Sequence, residues 1–301
     1  MRVLDAPLAG LRAGLAELAA RDAPRLASEL TLLSLLLAPI GVFDLRALAL
    51  VLACIGLLAP VAARSPRLWL ALAGLAAARV AIDWPLSDNH AYLLAAWCLA
   101  LAIAQTSPAP EEALARSARL LVALVFGLAV LQKLLAPDYL DGSFFRWLLA
   151  ADPRFEDLGR LLGRSGDALL QTRAFLEAPP WEAPAEAAAF IETRALRAAA
   201  RLLTFATLAA EAAVAFAFLA PRRWLPAPLR DATLLLFCMS TYALAPVAGF
   251  GWLLLAMGVA QCAPERWRTR SLYLGAAALL VFYREVPWVE LFAPAPDAGV
   301  R

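Results

Sequence analysis

The chain has 301 residues, of which 62% are hydrophobic and 17% charged, with a formal net charge of +2 and a mean hydropathy of +0.69. These values exclude an ordinary soluble domain and fit a polytopic membrane protein with room for one helical bundle. A net charge near zero argues neither for nor against a charged partner, and no nucleic-acid partner is expected.

Residues 8–20 place Leu8, Leu11, Leu15 and Leu18 at helical spacing, with Arg12, Glu17 and Arg21 elsewhere. This predicts an amphipathic helix lying at the membrane surface. Residues 1–22 show no secretory signal. The segment 1–28 therefore reads as a cytoplasmic amphipathic stretch ahead of a single transmembrane domain, 29–301. Apolar runs follow at about 29–43, 45–62, 67–82, 90–106, 118–136, 202–220, 231–246, 248–263 and 271–286. A spanning helix needs about 20 residues, so several runs are short. The expected fold is all-α: a polytopic transmembrane bundle of eight or nine spanning helices with interfacial amphipathic helices.

Arginine placement sets the orientation. Arg2, Arg12, Arg21 and Arg25 precede the first run, Arg64 and Arg67 follow the second, and Arg116 and Arg119 lead into the fifth. Arg222, Arg223 and Arg230 follow the sixth, and Arg266, Arg268 and Arg270 the eighth. With nine spans every cluster falls on the cytoplasmic face, together with the N-terminus. The short loops 83–89 and 245–249 contain no basic residue and fall outside.

The stretch from about 137 to 201 then lies outside as an interfacial segment. It contains Phe144, Phe145, Trp147, Leu148 and Leu149, then Leu158, Leu161 and Leu162, and a turn at Pro179, Pro180 and Pro184. It reads either as a lid or docking surface or as a membrane-hugging connection. The four cysteines Cys54, Cys98, Cys238 and Cys262 have no metal or redox spacing and read as small buried hydrophobes. No zinc motif, nucleotide loop or nucleophile elbow is present, so no metal is expected.

Three polar residues stand out. Lys133 is the only lysine among 27 basic residues, and it sits just before the end of the apolar run 118–136. Arginine stays protonated, whereas a buried lysine can act as a base; the competing reading is an ammonium that snorkels to the interface. His90, the only histidine, comes out at a similar depth on another helix, or else faces headgroups, with Asp88 or Asn89 as a helix cap. Glu211 falls mid-helix with Thr204 and Thr207 on its face, and a carboxylate there is expected to point inward and be paired or protonated. Arg79 and Asp83 are spaced to pair with each other.

Asn89-His90-Ala91-Tyr92-Leu93 resembles the Asn-His segment of the vitamin K-dependent γ-carboxylases. Gln132-Lys133-Leu134, with Pro137-Asp138-Tyr139-Leu140-Asp141-Gly142 after it, resembles their Lys-Leu and acidic-Gly segments. The broader bacterial group is the horizontally transferred transmembrane domain family. The resemblance implies a bacterial inner-membrane enzyme with its active site near the outer face, using reduced vitamin K or a related quinol with O2 and CO2 as co-substrates. Lys133 would deprotonate the quinol and His90 would assist carboxylation. Asn89, Gln132, Asp138, Tyr139 and Glu211 would contribute to substrate binding. The bilayer, a lipophilic quinone and a glutamyl peptide or protein substrate are the implied partners. The chain departs from the pattern at Val130, where animal carboxylases have glycine, and in one extra residue between Lys133 and Asp138. No counterpart of their large C-terminal domain is expected within these 301 residues. Two other readings stand beside this one: a non-catalytic assembly or anchoring module on the same fold, and a transporter with Glu211 and Lys133 lining a path.

Overall fold

The structure, a computed structural model, describes residues 21–38, 40, 41, 43–85, 87–152, 155, 158, 159, 162, 194–221, 223–244 and 247–285, together with Gly10, Ala13, Gly14 and Glu17. Among the described residues there are twelve α-helices and no strand, so the chain is all-α. In order they are α1 (Ala23–Leu37), α2 (Phe43–Leu58), α3 (Pro60–Ala63), α4 (Pro66–Asp83), α5 (Asn89–Thr106) and α6 (Pro110–Leu135). Then follow α7 (Pro137–Leu140), α8 (Ser143–Ala151), α9 (Arg194–Leu219), α10 (Ala227–Leu244), α11 (Ala248–Ala260) and α12 (Trp267–Glu285). Each apolar run read from the sequence falls on a helix of 13 residues or more. Proline opens four of the twelve helices, long and short, at Pro60, Pro66, Pro110 and Pro137, where its missing N–H and fixed φ cost nothing. Asp22 Oδ1 caps α1 by accepting from Arg25 N at 2.7 Å.

Two helices, α6 and α9 with 26 residues each, are long and apolar enough to cross a membrane. At 1.5 Å per residue they are about 39 Å long. The 13 residues of α11 give only about 20 Å, short of the roughly 30 Å hydrocarbon core. Gly251 through Ala260 are all buried, as expected of a helix that is apolar on every side. α11 is thus a central core helix, wrapped by α1, α6, α10 and α12. α1, also short, buries ten of its 15 residues. Length and composition therefore mark two crossing helices where the apolar runs alone suggested eight or nine.

Several arginines of the supposed cytoplasmic clusters hold the bundle together. Arg119 donates to the carbonyls of Phe218 and Ala220 at 2.8 and 2.5 Å, satisfying the C-terminal end of α9. The buried Arg270 donates to Cys262 O and, at 2.7 Å, to Arg21 O. Asp231, fully buried, accepts from Arg266 and from the Tyr273 hydroxyl. These internal cross-links fix arginine positions for reasons other than membrane sidedness.

The described start of the segment 137–201 is a docked platform. Gly142 takes φ +86°, a conformation open to glycine, and turns the chain from α7 into α8. Asp141 Oδ1 accepts from Ser143 N at 2.8 Å, and the Ser143 side chain and then this backbone bond pull its carboxyl below the usual range. Tyr139, Phe145, Leu148, Leu149 and Phe155 then form a second small core with Leu196 and Ala200 of α9. The amphipathic stretch 8–20 and the turn at Pro179–Pro184 lie largely or wholly outside the described residues. Cys98, Cys238 and Cys262 are buried, but Cys54 is exposed on the outer surface of α2. This corrects the reading that all four were interior.

Candidate functional site

Residues 125, 126, 129, 132 and 133 recur at helical spacing on α6, so Val125, Phe126, Ala129, Gln132 and Lys133 share one face. That face turns inward, with Gln132 at its exposed rim. The opposite one, Leu120, Leu124, Leu128, Leu131 and Leu135, is more than half exposed at every position. Lys133 stands two residues before the end of α6, and its amine does not reach for the interface. Nζ donates to Oε1 of Glu211 on α9 in an ion pair, with side chains only 21% and 11% exposed. The pairing expected for a mid-helix carboxylate is present, and its partner is the one lysine. The ammonium also lies 5.3 Å from the centroid of the Tyr139 ring, a cation–π contact.

Around this pair is a cavity of about 120 Å³, lined by Asn89, Val125, Phe126, Ala129, Gln132, Lys133, Glu211 and Phe250. Asn89 Nδ2 donates to Gln132 Oε1 at 3.2 Å, tying α5 to α6 at its rim. Glu211 Oε2 is buried and has no hydrogen-bond partner. A carboxylate oxygen in that state calls for a donor. The site therefore offers an acceptor at Oε2 and the remaining N–H groups of Lys133 within one apolar cup. A hydroxyl, which both donates and accepts, matches that pattern.

His90 is elsewhere. It lines a second cavity, of about 340 Å³, with Ser34, Gly41, Arg79, Asp83, Asp88 and Phe250 among its walls. Its ring centroid is 6.2 Å from that of Phe250, and its Nε2 is 3.6 Å from Asp88 Oδ2. Lys133 and His90 thus flank Phe250 and do not share one cavity. The side chain of Asp88, although at the N-cap position of α5, makes no capping bond. Arg79 and Asp83 do form their ion pair. Arg79 lies close over the chain at Gly41, where a Cβ would lie 2.2 Å from Nη1, so a larger residue there would displace the end of the Arg79 side chain.

Of the residues singled out in the sequence, Lys133, Glu211, Asn89, Gln132 and Tyr139 come together. Asp138 is exposed and lines neither cavity. Thr204 donates to Ala200 O at 2.9 Å and so bonds along its own helix, while Thr207 lies beside Tyr139. Comparison with family models, curated proteins and solved structures gives no match. The sequence reading missed the Lys133–Glu211 pair, although the signal was there: one lysine and one mid-helix acid in apolar runs are expected to find each other. Phe250 and Phe126 gave no such signal, because their role comes from the packing of α11 against α6.

Proposed function

We propose that the chain is an integral membrane enzyme in which the Lys133–Glu211 pair acts on the hydroxyl of a lipophilic quinol, as in the γ-carboxylase family its two segments resemble. The observation that carries this reading is the amine held inside the bundle against a half-satisfied carboxylate in an apolar cavity. Support for the membrane comes from α6 and α9 and from the leucine face of α6; a soluble chain rarely exposes such a stripe. The finer arrangement belongs to the same proposal. The nine longer helices would form one embedded bundle of eight or nine membrane segments in a bacterial inner membrane. The N-terminus and Arg266–Arg270 would be cytoplasmic, with Lys133 toward the outer side.

The residues fit the polar edge of a quinol. Phe126 and Phe250 provide ring-facing walls, and Glu211 Oε2 waits for a donor. An apolar cavity of about 150 Å³ holds a benzene ring, so the 120 Å³ site takes about one ring. A two-ring quinol extends past Phe250 toward the 340 Å³ cavity. When bound, a quinol reacting with O2 supplies a base strong enough to abstract a carbon-bound proton, with the quinone epoxide as product. The protein's part is the first proton. Passing an ammonium proton from Lys133 to Glu211 leaves a neutral amine beside a neutral acid, with no net charge to solvate in the apolar cup. The amine then accepts the hydroxyl proton. His90, on the far side of Phe250, serves a later step in the larger cavity, where CO2 and a glutamyl or other substrate would meet.

The test is epoxide formation by the purified protein given reduced naphthoquinone and O2, with and without bicarbonate. A second reading has one observation in its favour. The ion pair is closed, as it would be in a non-catalytic module where it only joins α6 to α9. Wild-type protein that binds quinol but forms no epoxide would select that reading.

A further inference from the structure

A third cavity, of about 260 Å³, lies between the start of α1, the end of α2, α3 and the start of α6. It is remote from Lys133. Glu111 on its rim and Lys133 share α6 and are 22 residues apart, about 33 Å along the helix axis. That distance is close to the thickness of a bilayer core, so this cavity sits where the opposite leaflet's headgroups would be.

Its chemistry is mixed in a specific way. Glu29 is already satisfied by Arg25 at 2.9 Å and Arg21 at 3.3 Å, and Asp22 Oδ1 is used by the cap of α1. Arg64 and Glu111 also line the cavity and form no ion pair among the described residues. Ser28, only 3% exposed, lines it too, and its hydroxyl has no hydrogen-bond partner. One free cation, one free anion and one buried unsatisfied hydroxyl thus surround a single volume. Beside it, Leu58 and Val61 are more than four-fifths exposed.

We infer that this cavity binds the headgroup of a phospholipid carrying both a phosphate and a primary ammonium. Arg64 and the Ser28 hydroxyl hold the phosphate, Glu111 takes the ammonium N–H groups, and the acyl chains run down past Leu58 and Val61. A purely anionic headgroup leaves Glu111 repelled. A quaternary ammonium headgroup gives Glu111 no N–H to accept. The inference rests on the membrane reading of the bundle and not on the chemistry of Lys133.

The test uses the full chain. It is expressed, fractionated, and transferred to micelles holding equal amounts of phosphatidylethanolamine, phosphatidylglycerol and phosphatidylcholine. Retained lipid is then counted by native mass spectrometry. One phosphatidylethanolamine per chain is expected in preference to the other two. Glu111→Gln should erase the preference over phosphatidylcholine. Arg64→Gln should weaken retention of every headgroup by about fivefold, the scale of one exposed charge pair, and Ser28→Ala should weaken it too. Both charged positions are exposed, so their variants should fold as wild type. Free phosphoethanolamine should compete, whereas inorganic phosphate alone should not. Equal retention of the three lipids, or an unchanged preference in both charge variants, overturns the site. Recovery of the chain in the soluble fraction overturns the membrane reading along with it.

Discussion

Removing one member of the Lys133–Glu211 pair strands the other in an apolar cup. Lys133→Met keeps an unbranched side chain, one atom shorter, but leaves a carboxylate whose Oε2 already lacks a partner. Breaking a buried pair in this way costs about 3–5 kcal/mol, and the 21% and 11% exposures place the value near the lower end, about 3 kcal/mol. Glu211→Gln leaves the ammonium a carbonyl to donate to and should cost less, about 2 kcal/mol. The double variant Lys133→Met/Glu211→Gln removes both charges, so most of the loss should return. The assay is SDS-driven unfolding from mixed micelles, followed by helical circular dichroism. The cycle should show a coupling of about 3 kcal/mol. Costs that add to within about 0.5 kcal/mol would refute the pair as an energetic unit.

Arg119→Gln withdraws the cation and its two bonds from the last carbonyls of α9, and should lower stability by about 2 kcal/mol in the same assay; an unchanged midpoint would mean that the cap contributes nothing. Asp141 has a depressed carboxyl pKa because Ser143 donates to it. Its stabilisation of the α8 platform should be complete above about pH 4, the unfolded value, and should fade as pH falls through the lower folded value. Hydrogen exchange of 143–151 against pH checks this, and Asp141→Asn should flatten the profile. For topology, Arg64→Cys and Ser87→Cys, each in a background lacking Cys54, should label from opposite sides of intact cells. Labelling from one side would contradict the proposed arrangement.

The sequence carried the helices well because their signal is local. Nine apolar runs became nine longer helices, and the Arg79–Asp83 spacing became an ion pair. Depth was harder to read. The run at 248–263 looks like the others in composition, yet α11 is short and enclosed on all sides, a fact set by its neighbours. The arginine pattern mixed two causes, since Arg119, Arg266 and Arg270 act inside the protein as well as near its surface. At the site, Lys133 stood out because it is unique, and Glu211 because of its depth. That they meet depends on how α6 packs against α9. That His90 falls behind Phe250 depends on α11, which comes more than a hundred residues later in the chain.

The proposal stands or falls on whether the Lys133 amine has to lose a proton. Arginine keeps the positive charge and can keep a bond to Glu211, but it does not become neutral at any accessible pH. Quinol-dependent O2 uptake and epoxide formation should therefore fall as far in Lys133→Arg as in Lys133→Ala, by about 100-fold or more, the scale of general-base catalysis. A small exogenous amine should partly restore the alanine variant. Wild-type turnover by Lys133→Arg would show that this residue holds α6 to α9 and is not the base.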